Sequence, residues 1–231
     1  LDSSALDGTI TAFSLGGVNH GAVNHLILKT DTGKHYAFGR SDRGQTGTGY
    51  TTYLESPKPL NLSEVQSDSI VQFTGGHFIT FLQDSNGSVY SAGYGRGGFN
   101  YVSGDARELT GRSAIQGVAT PAKMDLSNLT GKTVIDVIPG TKHAFLLTES
   151  GDVYGTGRAA GAQLGMADSA DVYIPEKIDH SNIGGKKIIK VASGGTTDEE
   201  KPQGHTLLLA EDGTLFSFGS NESGQLGLGD R

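Results

Sequence analysis

The segment that decides the fold is GHTLLLAEDGTLFSFGSNESGQLGLGD, at residues 204–230. An apolar run after His205 leads into a Glu-Asp-Gly turn, which is followed by a second apolar run that ends at Gly219. Short apolar runs bounded by turn residues are typical of buried strands, and glycine supplies the positive φ that a two-residue hairpin turn requires. The segment therefore predicts a β-hairpin followed by a glycine-rich loop.

The same pattern occurs four times along the 231 residues, with a turn glycine six residues before a second glycine. These glycine pairs are Gly33 and Gly39, Gly87 and Gly93, Gly151 and Gly157, and Gly213 and Gly219. A histidine opens three of the hairpins, at His25, His143 and His205, and Ile79 stands there in the other. An apolar pair precedes each hairpin, and a proline segment follows three of them. Each unit therefore predicts four short strands.

Four-stranded units that recur about every 60 residues are typical of the blades of a β-propeller. The four units span approximately residues 8–66, 67–130, 131–184 and 185–231, and the last is incomplete. Much of the unusual glycine content, 36 residues of 231, falls at fixed positions in these units. The sequence thus predicts an all-β propeller segment.

The segment 204–230 closely resembles the RCC1 repeat, named for the regulator of chromosome condensation, and the resemblance covers all four units. It is weakest in the second, where Ile79 replaces histidine and Phe99 replaces glutamine. The resemblance implies a ring of seven blades, of which this chain holds about four. We therefore expect the remaining blades to come from residues missing from this chain or from a second molecule.

The composition argues against several classes of function. Eighteen basic and 25 acidic residues give a formal net charge of −7, which disfavours binding to a nucleic-acid backbone. The absence of cysteine excludes disulfides and thiolate metal sites. No apolar run approaches the roughly 18 residues of a membrane-spanning helix, so we expect no membrane insertion.

The recurring histidines do not predict a catalytic centre. Repeats distribute His25, His143 and His205 over separate blades, so we expect each imidazole to bond to a neighbouring backbone turn. Three glutamines at a second recurring position are expected to tie the loop between blades to backbone groups: Gln45, Gln163 and Gln225. No nucleophile–base pair is recognisable by spacing. We therefore expect no enzyme, no catalytic residue, no metal and no cofactor.

Candidate partner-binding residues lie in loops that depart from the repeat. A long insertion after the third strand of the second unit combines arginine with aromatic residues, which are enriched at protein interfaces. Another loop, in the fourth unit, carries an acidic cluster. The candidates are Tyr94, Arg96, Phe99, Tyr101, Arg107 and Arg112 in the first loop, and Asp198, Glu199 and Glu200 in the second.

Three functions follow from the resemblance and the loops. The first is a non-catalytic propeller that serves as a protein–protein interaction or scaffold module of a larger chain or assembly. The second is a guanine-nucleotide exchange factor for a small GTPase, although no exchange motif is recognisable here. The third is a secreted propeller that binds or inhibits an extracellular protein. The family's ultraviolet-photoreceptor branch depends on clustered tryptophans, and this chain has none.

The sequence leaves two cellular compartments open for this protein. Family resemblance implies an intracellular protein, whereas four Asn-X-Ser/Thr sequons and the lack of cysteine suit an extracellular one. The possible glycosylation sites are Asn61, Asn86, Asn128 and Asn221.

Overall fold

The computed structural model describes residues 4–17, 24–66, 69–93, 118–141, 143–159, 161–166, 171–179, 183–195 and 204–230. Within these ranges the chain forms fifteen β-strands and one short 3-10 helix, at Ser127–Leu129. No helix in these ranges is long and apolar enough to cross a membrane. The prediction of an all-β chain with four-stranded blades is confirmed.

Each blade is an antiparallel meander of consecutive strands. Blade 1 contains β1 (Ile10–Gly16), β2 (His25–Thr30), β3 (His35–Gly39) and β4 (Leu54–Pro59). Blade 2 contains β5 (Ile70–Gly75), β6 (Ile79–Asp84), β7 (Val89–Gly93) and β8 (Val118–Lys123). Blade 3 contains β9 (Val134–Pro139), β10 (His143–Thr148), β11 (Val153–Gly157) and β12 (Val172–Lys177). In blade 4 the described strands are β13 (Ile188–Gly195), β14 (Gly204–Ala210) and β15 (Leu215–Gly219).

The strands belong to two compact units. In the first unit, β1 of blade 1 contacts β5 of blade 2, and the core between these blades contains Ile27, Ile70 and Leu82. In the second unit, β13 of blade 4 contacts both β9 and β10 of blade 3. The core of this unit contains Phe145 and Leu208, with Phe218 packed against it. Apolar packing between consecutive blades therefore stabilises each unit.

A β-bulge explains the spacing of the apolar pairs that precede the hairpins. In a regular strand, residues i and i+3 face opposite sides of the sheet. In β9, Val134 pairs with Thr148 and Asp136 pairs with Leu147, so Ile135 is an extra residue that has no partner of its own. The bulge returns Val134 and Val137 to the same face, where both are buried. The first strand of every blade has this shift.

The hairpin turns differ from the expected two-residue form. Gly33 N–H donates to Thr30 O, and Thr30 N–H donates to Lys34 O, so the loop contains three residues. Gly33, the last of them, has the predicted positive φ, of 80°. The three other hairpins share these two hydrogen bonds. In three-residue hairpin loops, a turn is followed by one further residue in the left-handed region. Glycine occupies this third position here.

The fourth strands carry a buried proline in an irregular stretch. Between the pairs Gly157–Val172 and Gly155–Glu176, one residue of β11 is opposite three of β12. Pro175 lies in this stretch, where a missing N–H costs no ladder hydrogen bond. Pro57 and Pro121 occupy the same place in β4 and β8. The proline segments predicted as fourth strands are confirmed.

Candidate protein-interaction surface

The nine residues proposed for partner binding lie outside the described part of the chain. They are Tyr94, Arg96, Phe99, Tyr101, Arg107, Arg112, Asp198, Glu199 and Glu200. The strand ends that flank them are described. Gly93 pairs with Val118, and Gly195 pairs with Gly204. The role of these residues in binding stays a prediction.

The flanking strand ends lie at one end of their blades, which we call the loop end. In an antiparallel meander, the connection from the first to the second strand and that from the third to the fourth emerge at the same end of the sheet. In blade 1, Gly16 pairs with His25 where the first strand connects to the second. Gly39 pairs with Leu54 where the third strand connects to the fourth. The loop end therefore holds every connection that the sequence singled out.

Histidine side chains join consecutive blades beneath the loop end. In the first unit, His25 Nε2 lies 2.9 Å from Thr80 Oγ1 of blade 2. Thr80 Oγ1 donates to Gln45 O at 2.7 Å, which uses its one proton. The neutral His25 ring therefore carries its proton on Nε2 and donates it to Thr80. The ring thus contacts a hydroxyl of the next blade, and a backbone hydrogen bond with Ile79 also acts on it, in line with the predicted bond to backbone.

The second unit has a related contact between its blades. His143 Nε2 lies 2.6 Å from Ser193 Oγ, and Thr206 Oγ1 donates to Gln163 O at 3.0 Å. Gly140 leaves room for the ring, since a Cβ there would lie 2.5 Å from a His143 ring carbon. Glycine before this histidine is therefore a packing requirement in addition to a turn signal.

Burial keeps these imidazoles neutral. Desolvation, with a smaller contribution from the charge of nearby His77, lowers the pKa of His25 to about 4. Desolvation, and secondarily His205, lowers the pKa of His143 to about 3. The structure thus assigns His25 and His143 a part in holding blades together.

The recurring glutamines stabilise the loop that follows the third strand. Gln45 Oε1 accepts from Arg43 N–H at 2.9 Å, Gln163 Oε1 from Gly161 N–H at 2.7 Å, and Gln225 Oε1 from Ser223 N–H at 2.8 Å. The predicted link between these side chains and backbone groups is confirmed. Its repetition in three blades gives this loop a fixed shape.

A patch of aromatic and arginine side chains at the loop end of blade 1 was not predicted. Tyr50 and Tyr53 are 53% and 64% exposed in the β3–β4 connection. The Arg40 guanidinium lies 5.3 Å from the centre of the Phe78 ring, and Asp42 binds Arg40 through two hydrogen bonds. Tyr53 is near enough to contribute to the raised pKa of Arg40, whose main cause is Asp42. We call Arg40, Tyr50, Tyr53 and Phe78 the tyrosine–arginine patch.

A sequence signal for this patch existed. The segment GYTTY at 49–53 places two tyrosines in a loop whose counterpart in unit three, residues 158–171, has none. Tyrosine and arginine are enriched in the residues that dominate binding energy at protein interfaces.

In the described residues no group of three or more histidine, aspartate or glutamate side chains is placed to hold a metal ion.

The four sequons differ in how their asparagines are bonded. Asn86 is exposed at the tip of the β6–β7 hairpin. Asn61 accepts from Ser63 N–H, and Asn128 donates to Pro175 O. Asn221 donates to Asp230 O and accepts from Leu226 N–H. Glycosylation at any of them stays a prediction, and of the four, Asn86 and Asn128 are exposed.

Known proteins share this architecture. A sequence model of the regulator of chromosome condensation (RCC1) repeat matches residues 203–225. The ultraviolet-B receptor UVR8 of Arabidopsis thaliana is 32% identical over 197 residues, covering 84% of this chain and 39% of the receptor.

Two solved structures superimpose on the chain. Human WBSCR16 has a TM-score of 0.73 at 21% identity, over 97% of this chain and 51% of its own. Prp20p of Saccharomyces cerevisiae, solved in a study of its binding to Gsp1p and histones, has a TM-score of 0.69 at 21% identity, over 94% of this chain and 46% of its own. The chain thus spans about half or less of the proteins it matches. It is similar to RCC1 repeat proteins and has an RCC1-like β-propeller fold.

Proposed function

We propose that this chain is a non-catalytic interaction module that binds a protein partner at its loop end through the tyrosine–arginine patch. The exposure of Tyr50 and Tyr53 beside the Arg40–Phe78 stack is the observation that carries the proposal. Tyrosine offers a large contact area at a low cost in conformational entropy, and its hydroxyl can bond at a wet interface.

The rigidity of the patch adds support. Ser41 Oγ donates to Tyr50 O at 2.8 Å, and Ser41 Oγ lies 2.6 Å from Thr46 Oγ1. Ser41 and Thr46 are both fully buried. The loop that presents the tyrosines is therefore ordered before binding, which reduces the entropy lost in the complex.

Exposed apolar faces support a second part of the proposal, that further blades pack against this chain. In the first unit, Phe13 and Leu15 of β1 are 72% and 57% exposed, whereas Phe73 of β5, the counterpart of Phe13, packs against the core. Isolated soluble domains seldom expose clustered apolar side chains of this size. A second molecule or additional residues of the same polypeptide would supply the covering blade.

Tyr50→Ala combined with Tyr53→Ala tests the binding surface. We expect partners captured from a native extract by the unsubstituted chain to be depleted at least tenfold on the double variant, as for loss of interface hot spots. Tyr173→Ala, which removes a 48% exposed tyrosine of blade 3, is the matched control and should retain them. Equal recovery on all three proteins would show that the patch is not the binding surface.

Nucleotide exchange is the alternative that the family resemblance raises. The discriminating assay follows release of mant-GDP from a panel of small GTPases, with and without the chain. A rate equal to the intrinsic one agrees with an interaction module. Acceleration of release from any of them would instead assign the exchange function.

A further inference from the structure

The tip of the β6–β7 hairpin places an asparagine directly before a glycine. Of the eight asparagines in the chain, Asn86 alone precedes a glycine. This glycine, Gly87, has a φ of 81°, and in the described residues nothing lies within 4 Å of the position that a Cβ on it would occupy. Because glycine has no side chain, the backbone nitrogen that follows Asn86 is open to the Asn86 amide carbon.

The side-chain amide of Asn86 is not held in place. Asn86 is exposed, and its backbone N–H donates to Asp84 Oδ1 at 2.9 Å, but its side chain makes no hydrogen bond to the described part of the chain. The asparagines of the three other sequons have bonded side chains: Asn61, Asn128 and Asn221. The Asn86 side chain can therefore rotate until its Cγ reaches the nitrogen of Gly87.

One hydrogen bond of the turn opposes this approach. Gly87 N–H donates to Asp84 O at 3.0 Å, and Asp84 N–H donates to Ser88 O at 3.0 Å. An attack by the Gly87 nitrogen requires the first of these bonds to open. Exposed loop tips open locally at a small cost in free energy, without unfolding of the strands behind them. The bond therefore slows the approach and does not prevent it.

Blade 4 shows that the same turn accepts an aspartate in place of Asn86. Asp212 occupies the corresponding position and precedes Gly213, whose φ is 85°. Its carboxylate binds Lys186 Nζ at 2.7 Å and accepts from Thr214 N–H at 3.0 Å. An aspartate at position 86 is thus compatible with the hairpin, whereas an isoaspartate would add one atom to the main chain of a three-residue loop.

We propose that Asn86 is a site of spontaneous deamidation, with water as the co-reactant. The Gly87 nitrogen loses its proton and attacks Asn86 Cγ. The new N–Cγ bond closes a five-membered succinimide, and the Cγ–Nδ2 bond breaks with release of ammonia, which takes up the proton. Water then opens the ring: cleavage of the N–Cγ bond leaves aspartate, and cleavage between the nitrogen and the Asn86 backbone carbonyl carbon leaves isoaspartate.

The consequence is a change of charge and of main-chain length at one hairpin tip. Each conversion adds a negative charge beside the buried carboxylate of Asp84, and the isoaspartate form also lengthens the turn. Asparagine is among the residues that limit the chemical lifetime of proteins. The site is distinct from the tyrosine–arginine patch and does not depend on it.

Peptide mapping by mass spectrometry tests the site in the unglycosylated 231-residue chain, incubated at neutral and at mildly alkaline pH. We expect the peptide that contains Asn86 to gain about 1 Da, because –NH₂ becomes –OH, and to separate into aspartate and isoaspartate forms. Conversion should be faster at the higher pH, since the nitrogen attacks after losing its proton. Asn61, Asn128 and Asn221 are internal controls and should stay unchanged. No conversion at Asn86, or equal conversion at the controls, overturns the proposal.

A synthetic peptide of residues 80–92, TFLQDSNGSVYSA, measures how far the fold protects the site. We expect the folded chain to convert at no less than about one tenth of the rate of the peptide, because only the tip of the hairpin has to open. A slower rate in the folded chain would show that the bond from Gly87 to Asp84 O suppresses the attack, and would overturn the proposal.

Asn86→Gln and Ser88→Ala separate deamidation from any process that reads the sequon. Both substitutions remove the sequon, but only Asn86→Gln prevents closure of a five-membered ring. We expect Ser88→Ala to convert as the unsubstituted chain does, and Asn86→Gln to convert at least about tenfold more slowly. Loss of conversion in both variants would assign the change in mass to recognition of the sequon and would contradict the proposal.

Discussion

The hydroxyl of Thr80 joins three parts of the first unit. It accepts the Nε2 proton of His25 from β2 and donates to Gln45 O in the β3–β4 loop, and it is fully buried in β6. Buried polar groups that lose a partner cost more than the bond itself contributes, because they are no longer hydrated. One side chain therefore determines whether two other buried groups are satisfied.

Thr80→Val preserves the shape of this side chain and removes both bonds. We expect the free energy of unfolding to fall by about 2–3 kcal/mol, since His25 Nε2–H and Gln45 O both lose their partner. Urea unfolding followed by circular dichroism measures this loss. The matched control is Thr206→Val, where the hydroxyl bonds to Gln163 O and has no histidine partner in the described residues, and about 1 kcal/mol is expected. Equal losses in the two variants would contradict the role assigned to His25.

At the scale of the strand, the bulge decides which residues are buried. Strict alternation would place Ile135 and Val137 on one face of β9. The structure buries Val137 at 3% exposure and leaves Ile135 49% exposed. An extra residue in the first strand therefore allows two apolar side chains three positions apart to reach the same core.

The same type of substitution at these two positions tests the bulge. Ile135→Thr should change the free energy of unfolding by less than about 0.5 kcal/mol, because the side chain is already half in water. Val137→Thr buries a hydroxyl and should cost about 1–2 kcal/mol. Thermal unfolding of both variants at one protein concentration measures the difference. A larger loss for Ile135→Thr would mean that β9 alternates regularly.

Over the whole molecule, buried neutral histidines make stability depend on pH. His25 in the first unit and His143 in the second have pKa values lowered by burial, to about 4 and about 3, from an ordinary value near 6.5. Below pH 6.5 the unfolded chain binds protons at these positions that the folded chain does not. The free energy of unfolding therefore decreases as the pH falls from 6.5 toward 4.

Between pH 7 and pH 5 we expect a loss of about 2 kcal/mol for each of the two histidines. Carboxylates such as Asp212, whose pKa Lys186 lowers to about 2, stay ionised over this range and do not obscure the effect. Urea midpoints at half-unit intervals of pH provide the measurement. His143→Gln should reduce the slope by about one proton, and an unchanged slope would exclude His143 as a contributor.

Most of the strand arrangement was accessible from the sequence, because turn glycines and apolar runs recur at fixed offsets. The hairpin of β14 and β15 and the proline strands lie where the repeat placed them. The partner of His25 was not accessible, since Thr80 is 55 residues away and stands next to Ile79, which breaks the histidine pattern. The tyrosine–arginine patch escaped notice for a related reason, as Phe78 meets Arg40 only after two blades pack together.

By itself the sequence determined the repeat, the all-β class and the resemblance to the RCC1 repeat, because local turn chemistry and hydrophobic spacing are encoded in neighbouring residues. Only the tertiary structure decided which side chains connect blades and which tyrosines face solvent. These properties depend on contacts between segments far apart in the chain, and packing rather than local preference determines them.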